Sequence, residues 1–163
     1  PVLSYRTEDL RFLAHESLKL GAAIVVLKAG ARGLYFATAG PERLKALGRL
    51  KVSKDFARRE LWQPAFEVKE IASATGSGDN AIAAFLTGLL RGMQPELSLQ
   101  AAAAVAADNL RVLDATSGVR SWEETVQSIP QRKPMDPRVG EGFKYEDSLK
   151  LYKGDKDGKG LVP

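Results

Sequence analysis

One glycine-rich loop, Ala74-Thr75-Gly76-Ser77-Gly78-Asp79, joins a predicted strand to a predicted helix. The segment Trp62 to Ala72 before it alternates like a strand around Pro64. The segment Gly78 to Gly92 after it places its apolar residues on one helical face. Glycines in such a loop let consecutive backbone N–H groups point inward, where side chains would otherwise block a ligand. The loop therefore predicts an anion-binding site at the start of a helix.

The chemistry that this loop can support follows from the residues at the helix start. A phosphoryl oxygen near Gly76, Ser77 and Gly78 would meet oriented N–H donors and the positive end of the helix dipole. The carboxylate of Asp79 can accept a proton from an alcohol while the neighbouring amides stabilise charge on the phosphate under attack. On composition alone, the loop is equally typical of a glycine-rich helix start in which Asp79 only caps the helix.

Apolar periodicity upstream of the loop predicts a layered α/β arrangement. Helical spacing runs from Thr7 to Gly21, with Thr7 as the predicted cap and Gly21 just past the helix end. The β-branched run Ala23 to Leu27 is typical of a buried parallel strand, and Gly33 to Thr38 is predicted to return antiparallel after a turn. A helix that precedes a strand in this way favours helices packed on a sheet.

The remaining segments are assigned from their composition. Gly40 to Leu61 is basic and weakly periodic, and we expect an irregular connection with one short strand. Helices are predicted for Leu97 to Leu113 and for Ser121 to Ile129. From Pro130 onward the chain is rich in proline, glycine and mixed charge, which predicts a loosely docked tail.

Composition bounds the class of protein. The chain has 163 residues, 44% of them hydrophobic and 27% charged, which suffices for one domain with a core. The absence of cysteine excludes a disulfide framework, a thiol nucleophile and a thiolate metal site. The net charge of +4 is spread along the chain, so we expect no nucleic-acid partner. No apolar stretch approaches the length of a membrane span, and we expect a cytoplasmic protein without a membrane partner.

Other candidate sites are weak. His15 is the single histidine and lies within the first predicted helix, so it indicates neither a metal cluster nor a catalytic base. The run Asp155 to Gly160 lacks the spacing and the terminal glutamate of a calcium loop. We therefore predict no protein metal site.

Three segments together resemble a known family. Pro64 to Leu90, which contains the loop, closely resembles the signature region of ribokinase-like (PfkB) carbohydrate kinases. Val25 to Tyr35 resembles that family's strand and nucleotide-binding turn, and Ala115 to Val119 resembles the loop near its adenine site. The likeness runs in the family's order, from Leu18 to Ile129, and it is to the carboxyl-terminal half of the family's fold. It implies a three-layer α/β/α, Rossmann-like sheet with helices on both faces.

The resemblance also implies an activity and a set of site residues. It implies phosphate transfer from ATP to a hydroxyl of a sugar or sugar acid, with Mg²⁺ accompanying the nucleotide. Asp79 matches the family's catalytic base, and Gly76, Ser77 and Gly78 match its anion hole. The residues that match its nucleotide-binding positions are Lys28, Gly30, Arg32, Gly33, Thr75, Ser117 and Gly118. For Lys28 a solvated strand end is an equal alternative, and for Gly30 and Gly33 an ordinary hairpin turn.

Departures from the family pattern leave a second hypothesis open. Ser73 stands where the family usually has an acidic residue, and Ala103 stands where it often has a polar adenine contact. Nothing upstream of Val25 resembles the family's Asn-x-x-Glu motif or its Gly-Gly sugar-binding segment. Residues 1–129 are thus predicted to form the catalytic part and 130–163 the tail. The alternatives are a sugar kinase, with a homodimer left open, and an inactive nucleotide-binding or structural fragment.

Overall fold

A computed structural model describes residues 5–48, 50 and 52–162. The helices are α1 (Thr7–Lys19), α2 (Pro41–Lys45), α3 (Ser77–Leu90), α4 (Pro95–Asn109) and α5 (Trp122–Ser128). The strands are β1 (Ile24–Lys28), β2 (Leu34–Thr38), β3 (Glu60–Gln63), β4 (Phe143–Glu146) and β5 (Leu151–Gly154). No helix in these ranges has both the length and the apolar character needed to cross a membrane.

The strands form one antiparallel sheet in the order β1-β2-β3-β5-β4. The antiparallel return of β2 confirms the prediction for Gly33 to Thr38, and Val26 of β1 lies opposite Phe36. The prediction of a parallel strand at Ala23 to Leu27 is wrong for the neighbour that the structure shows. The turn after β1 is short, whereas a parallel partner needs a long crossover. A strand that is buried on both faces has a continuous apolar sequence whether its neighbour is parallel or antiparallel, so the sequence could not distinguish the two.

Strand β2 separates two helical layers because successive side chains point to opposite faces of the sheet. Tyr35 and Ala37 pack with Leu10, Ala14 and Leu18 of α1. On the other face, Leu34 and Phe36 pack with residues of α3 and α4, namely Ala81, Phe85, Leu89, Leu99 and Ala102. The sheet thus carries helices on both faces, and the expected three-layer α/β arrangement is confirmed.

The ends of α1 show one error and one success of the sequence prediction. The residue before the helix is Arg6, whose backbone N–H donates to the Asp9 carboxylate at 2.9 Å. Thr7 is therefore the first helical residue rather than the cap, and its hydroxyl accepts from Arg32. Gly21 follows the helix with a φ of 112°, as predicted for the residue past the end.

The predicted strand from Trp62 to Ala72 begins earlier and is much shorter. Strand β3 ends at Gln63, and beyond Pro64, which has no backbone N–H to donate, Phe66 forms a single bridge with Pro134. The connection before β3 holds α2 and a 3₁₀ turn at Lys54–Phe56 in place of the expected strand, with residues 49 and 51 outside the described ranges.

The segment after Pro130 is part of the sheet, so the expectation of a loosely docked tail is wrong. Strand β5 pairs with β3 and β4 pairs with β5, and the side chain of Leu151 is fully buried in the core. The composition of this segment could not predict its docking, because the residues that stabilise it lie far away in the sequence. Buried Glu60 accepts hydrogen bonds from Arg11, from the Tyr35 hydroxyl and from the backbone N–H of Lys156.

The Glu60 cluster shifts the ionisation of its members. Burial raises the pKa of the Tyr35 hydroxyl, and the Glu60 carboxylate raises it further. Desolvation opposes the charge of Arg11, but the neighbouring Glu60 and Asp155 carboxylates outweigh it and raise the pKa of the guanidinium. The cluster thus connects the final strands to α1 and β2 through the buried Glu60 carboxylate, which accepts hydrogen bonds from all three.

Glu60→Ala should destabilise the fold strongly. Removing the carboxylate leaves Arg11, Tyr35 and the Lys156 N–H without their acceptor, which typically costs about 3–5 kcal/mol for a buried pair. Urea unfolding measures the change. The matched control is Glu146→Ala, since Glu146 pairs with Lys153 at the surface and its loss should cost about 0–1 kcal/mol. Equal effects of the two variants would contradict a structural role for the buried carboxylate.

Candidate functional site

The glycine-rich loop turns into α3 at Gly76, which has a left-handed φ of 74°. A Cβ atom at this position would lie 2.5 Å from the backbone oxygen of Ala115. The same oxygen accepts from the Asn80 side chain at 2.6 Å, and the Asn109 side chain donates to the Thr75 oxygen at 2.9 Å. The loop therefore requires glycine at its sharpest point and is held in place by two asparagines that the sequence analysis did not select.

The start of α3 presents free backbone donors. The N–H of Ser77 donates to Ala74 at 3.3 Å, and the N–H of Asp79 donates to Gly76 at 3.1 Å. Within the described part of the chain, the N–H groups of Gly76 and Gly78 meet no acceptor. Unpaired donors at a helix N-terminus attract an anion, and the helix dipole adds to that attraction. The anion hole stays a prediction, and these N–H groups are the donors that would form it.

Asp79 and Lys28 meet beside these donors. The Lys28 ammonium lies 3.5 Å from the Asp79 carboxylate, and the two side chains are 45% and 91% exposed respectively. A Cβ atom on Gly78 would lie 2.9 Å from the Lys28 ammonium, so the end of β1 places this cation over the first turn of α3. A carboxylate, an ammonium and free N–H groups thus converge where solvent and a substrate can reach them.

A cavity of about 350 Å³ opens next to this cluster, within the size range of small-molecule sites. Its polar mouth is formed by Lys28, Ser77 and Gly78. Apolar side chains form another part of the lining, which we call the apolar wall: Phe66, Val68, Ala103, Ala107 and Met135. Gly30 and Gly33 of the β1–β2 turn also line the cavity. The arrangement can accept an anionic group at the mouth and an apolar group against the wall.

Arg32 is one of the predicted nucleotide-binding residues that do not line the cavity. Its guanidinium donates to the Thr7 hydroxyl and to the backbone oxygens of Tyr5, Pro137 and Arg138, and it stacks on a tryptophan ring. Burial lowers the pKa of this guanidinium. Because its donors are already engaged, Arg32 holds the tail against α1 rather than lining the cavity.

Thr75, within the loop, and Ser117 and Gly118, which follow α4, are not among the residues that line the cavity. The Thr75 hydroxyl forms a hydrogen bond with Ser73, and the backbone N–H of Ser117 donates to Asp114 at 2.6 Å. The hydrogen bonds from Ser117 lower the pKa of the Asp114 carboxyl. Gly118 packs against the backbone of α4, where a Cβ atom would lie 2.7 Å from the Asn109 Cα. The contacts of these residues are therefore with neighbouring segments of the chain rather than with the cavity.

The described residues contain no group of three histidine, cysteine, aspartate or glutamate side chains placed to hold a metal ion. Asp79 supplies a single carboxylate at the cavity mouth, where it pairs with Lys28.

A family model matches this site and its supporting fold. The model for pfkB family carbohydrate kinases matches residues 5–121, which include the loop, the cavity mouth and both flanking layers. The chain therefore belongs to the pfkB family of carbohydrate kinases. No curated protein matches the chain.

Solved structures share the fold. One is described as a sugar kinase from Clostridium perfringens, with a TM-score of 0.62 and 16% identity over 79% of this chain and 35% of that one. Another is ribokinase from Thermotoga maritima, with a TM-score of 0.56 and 24% identity over 75% of this chain and 34% of that one. The chain thus spans about a third of the length of these two proteins.

Gly76→Ala should lower the free energy of unfolding by more than the usual cost of placing alanine at a left-handed φ. The matched control is Gly92→Ala, because Gly92 has a φ of 69° and an added methyl group there would meet no atom within 4 Å. The control should lose about 1–2 kcal/mol of the free energy of unfolding. Gly76→Ala should lose more, because its methyl group would meet Ala115, and urea unfolding measures both losses. Losses of equal size in the two variants would contradict the required close approach of Gly76 to Ala115.

Proposed function

We propose that this site transfers the γ-phosphate of ATP to a hydroxyl of a sugar or sugar acid. The observation that carries the proposal is the exposed carboxylate of Asp79 beside the free N–H groups of Gly76 and Gly78, at the mouth of a cavity. Membership of a carbohydrate kinase family supports the same chemistry. A cytoplasmic location, where ATP and sugars meet, is part of the proposal.

In the proposed reaction, Asp79 acts as the general base. Its carboxylate accepts the proton of the sugar hydroxyl while the hydroxyl oxygen forms a bond to the γ-phosphorus. The bond between that phosphorus and the β–γ bridging oxygen breaks, and ADP leaves with the electron pair. The N–H groups of Gly76 and Gly78 donate to the phosphoryl oxygens, on which charge develops.

Lys28 and the β1–β2 turn are proposed to hold the nucleotide. The ammonium of Lys28 is free to move from Asp79 to a phosphate because both groups are exposed and 3.5 Å apart. Gly30 and Gly33 border the cavity, and the nucleotide is proposed to lie along the turn that contains them. Mg²⁺, when bound with the nucleotide, would neutralise phosphate charge, and Asp79 is the carboxylate at hand to approach it.

A second candidate function is nucleotide binding without turnover. It is favoured by the share of the two solved kinases that this chain spans, 35% and 34% of their lengths. Calorimetric titration with ATP, followed by an ADP-release assay across hexoses, pentoses and keto-sugar acids, distinguishes the two functions. Sugar-dependent ADP release supports the kinase, whereas binding without release supports the second candidate.

Asp79→Asn should abolish most of the turnover while sparing nucleotide binding. The amide keeps the size of the side chain but cannot take up the hydroxyl proton, so kcat should fall by about 10²–10⁴-fold. The ADP-release assay measures kcat, and calorimetry measures ATP affinity. Asp147→Asn is the control, because Asp147 lies in the exposed turn between β4 and β5. Near-normal kcat in Asp79→Asn would refute the assignment of the base.

Lys28→Met should weaken ATP binding by about 10–100-fold, which corresponds to loss of one charge-assisted contact. Lys28→Arg should retain much of the affinity. Lys45→Met, at an exposed lysine paired with Glu42 on α2, serves as the control. Calorimetry with ATP and with AMP separates the phosphate contribution, since the loss should be much smaller for AMP. An unchanged affinity for ATP would exclude Lys28 from the phosphate site.

A further inference from the structure

A second cavity, of about 990 Å³, is lined mainly by charged side chains. Five of its described lining residues are basic, among them Arg111, Arg120 and Arg132, and three are acidic, including Asp108. We call it the basic cavity. Among the described residues, Ile71 alone lines both this cavity and the one beside the start of α3. The basic cavity is therefore a separate place on the molecule, with an excess of positive charge.

One buried carboxylate holds two of the arginines together. Asp108, on α4, is 4% exposed, and its Oδ2 atom accepts from the Arg132 guanidinium at 2.7 Å. The Nε atom of Arg120 lies 3.3 Å from the same oxygen. Arg132 is restrained further, because its Nε donates to the Ser128 hydroxyl at 2.9 Å. Two guanidinium groups are thus held close to each other by a single oxygen atom.

The positive charge around Asp108 is not balanced by the protein. Arg120 and Arg132 share one carboxylate, and the second oxygen of that carboxylate, Oδ1, is buried and accepts no hydrogen bond from the described residues. Arg111 follows one turn after Asp108, to whose backbone oxygen its N–H donates at 3.2 Å. The guanidinium of Arg111 lines the same cavity and meets no acceptor within the described part of the chain. A bound anion would supply the missing negative charge.

We infer that the basic cavity binds a phosphate group, either as inorganic phosphate or as the phosphate of a monoester. The three arginines are its proposed donors. This site is distinct from the loop proposed to hold the γ-phosphate of ATP, and the inference does not depend on the proposed function.

The chemistry and placement of the donors favour phosphate. A guanidinium presents several N–H donors in a fixed plane, an arrangement that suits the oxygens of phosphate and carboxylate. Arg111 follows α4, Arg120 precedes α5 and Arg132 follows α5, so the donors belong to three segments. A tetrahedral phosphate offers acceptors in several directions, whereas the two oxygens of a carboxylate lie in one plane. The higher charge of the phosphate dianion also strengthens its attraction to the excess cations.

Part of the site is fixed before any ligand binds. The side chain of Arg132 is 11% exposed, and its guanidinium lies 5.8 Å from the centroid of the Phe66 ring. Donors that are already held in place lose less conformational entropy on binding. Arg132 and Ser128 lie beyond the family match, which ends at residue 121. A segment outside that match therefore contributes the most rigid donor of the site.

The test is titration of the full ¹⁵N-labelled chain at low ionic strength with inorganic phosphate and, separately, with glycerol phosphate. Saturable shifts are expected for the backbone amide and Nε–H resonances of Arg111, Arg120 and Arg132. Sodium acetate is the control anion and should bind at least about tenfold more weakly. The tighter of the two phosphate probes distinguishes free phosphate from a monoester as the ligand.

Arg111→Gln should weaken phosphate binding at these resonances by about tenfold, because it removes one charge-assisted contact. The thermal transition should stay unchanged, since the exposed Arg111 side chain pairs with no described residue. Arg138→Gln is the matched control, because Arg138 is also exposed and lies outside the lining of the basic cavity. This control should leave the Kd for phosphate unchanged.

Three outcomes would count against the inference. Phosphate-induced shifts confined to Gly76 and Gly78 would overturn the basic cavity as a phosphate site and leave the proposed function standing. Acetate that bound as tightly as phosphate would overturn the choice of phosphate. An unchanged Kd in both Arg111→Gln and Arg120→Gln would overturn the assignment of the arginines as donors.

Discussion

The fold depends on the burial of β2 on both faces. Every residue of this strand is buried, so Tyr35 must find a partner layer on one side of the sheet and Phe36 on the other. Helix α1 meets the first requirement, and α3 with α4 meets the second. This double burial fixes α3 against the sheet, and the site at the first turn of α3 therefore depends on it.

The site is built where backbone segments approach too closely for side chains. Gly33 brings the β1–β2 turn against the end of β3, since a Cβ atom there would lie 2.0 Å from the Gln63 oxygen. Gly76 does the same for the loop before α3 at Ala115. Between these contacts, Lys28 and Asp79 face each other across the cavity mouth. The glycines thus set the distance between the proposed phosphate-binding and proton-accepting groups.

Local patterns in the sequence predict the elements that local forces determine. The helix after the glycine-rich loop and the hairpin of β1 and β2 follow from periodicity and turn residues. The docking of residues 130–162 could not be predicted, because it depends on Glu60 accepting from Arg11 and Tyr35 across long sequence separations. The contacts of Arg32 could not be predicted for the same reason, since its four acceptors lie in other segments. The position of Met135 in the cavity lining could not be predicted either, because its proline-rich surroundings show no helical or strand periodicity.

The central claim is that a nucleotide phosphate binds the free N–H groups at the start of α3. A ¹⁵N-labelled sample titrated with ATP and Mg²⁺ tests it most directly, because the amide resonances report each N–H separately. The account predicts large, saturable shifts at Gly76 and Gly78, with Gly92 and Gly140 unmoved as left-handed glycines in open surroundings. Saturable shifts confined to other residues, with Gly76 and Gly78 unchanged, would contradict it.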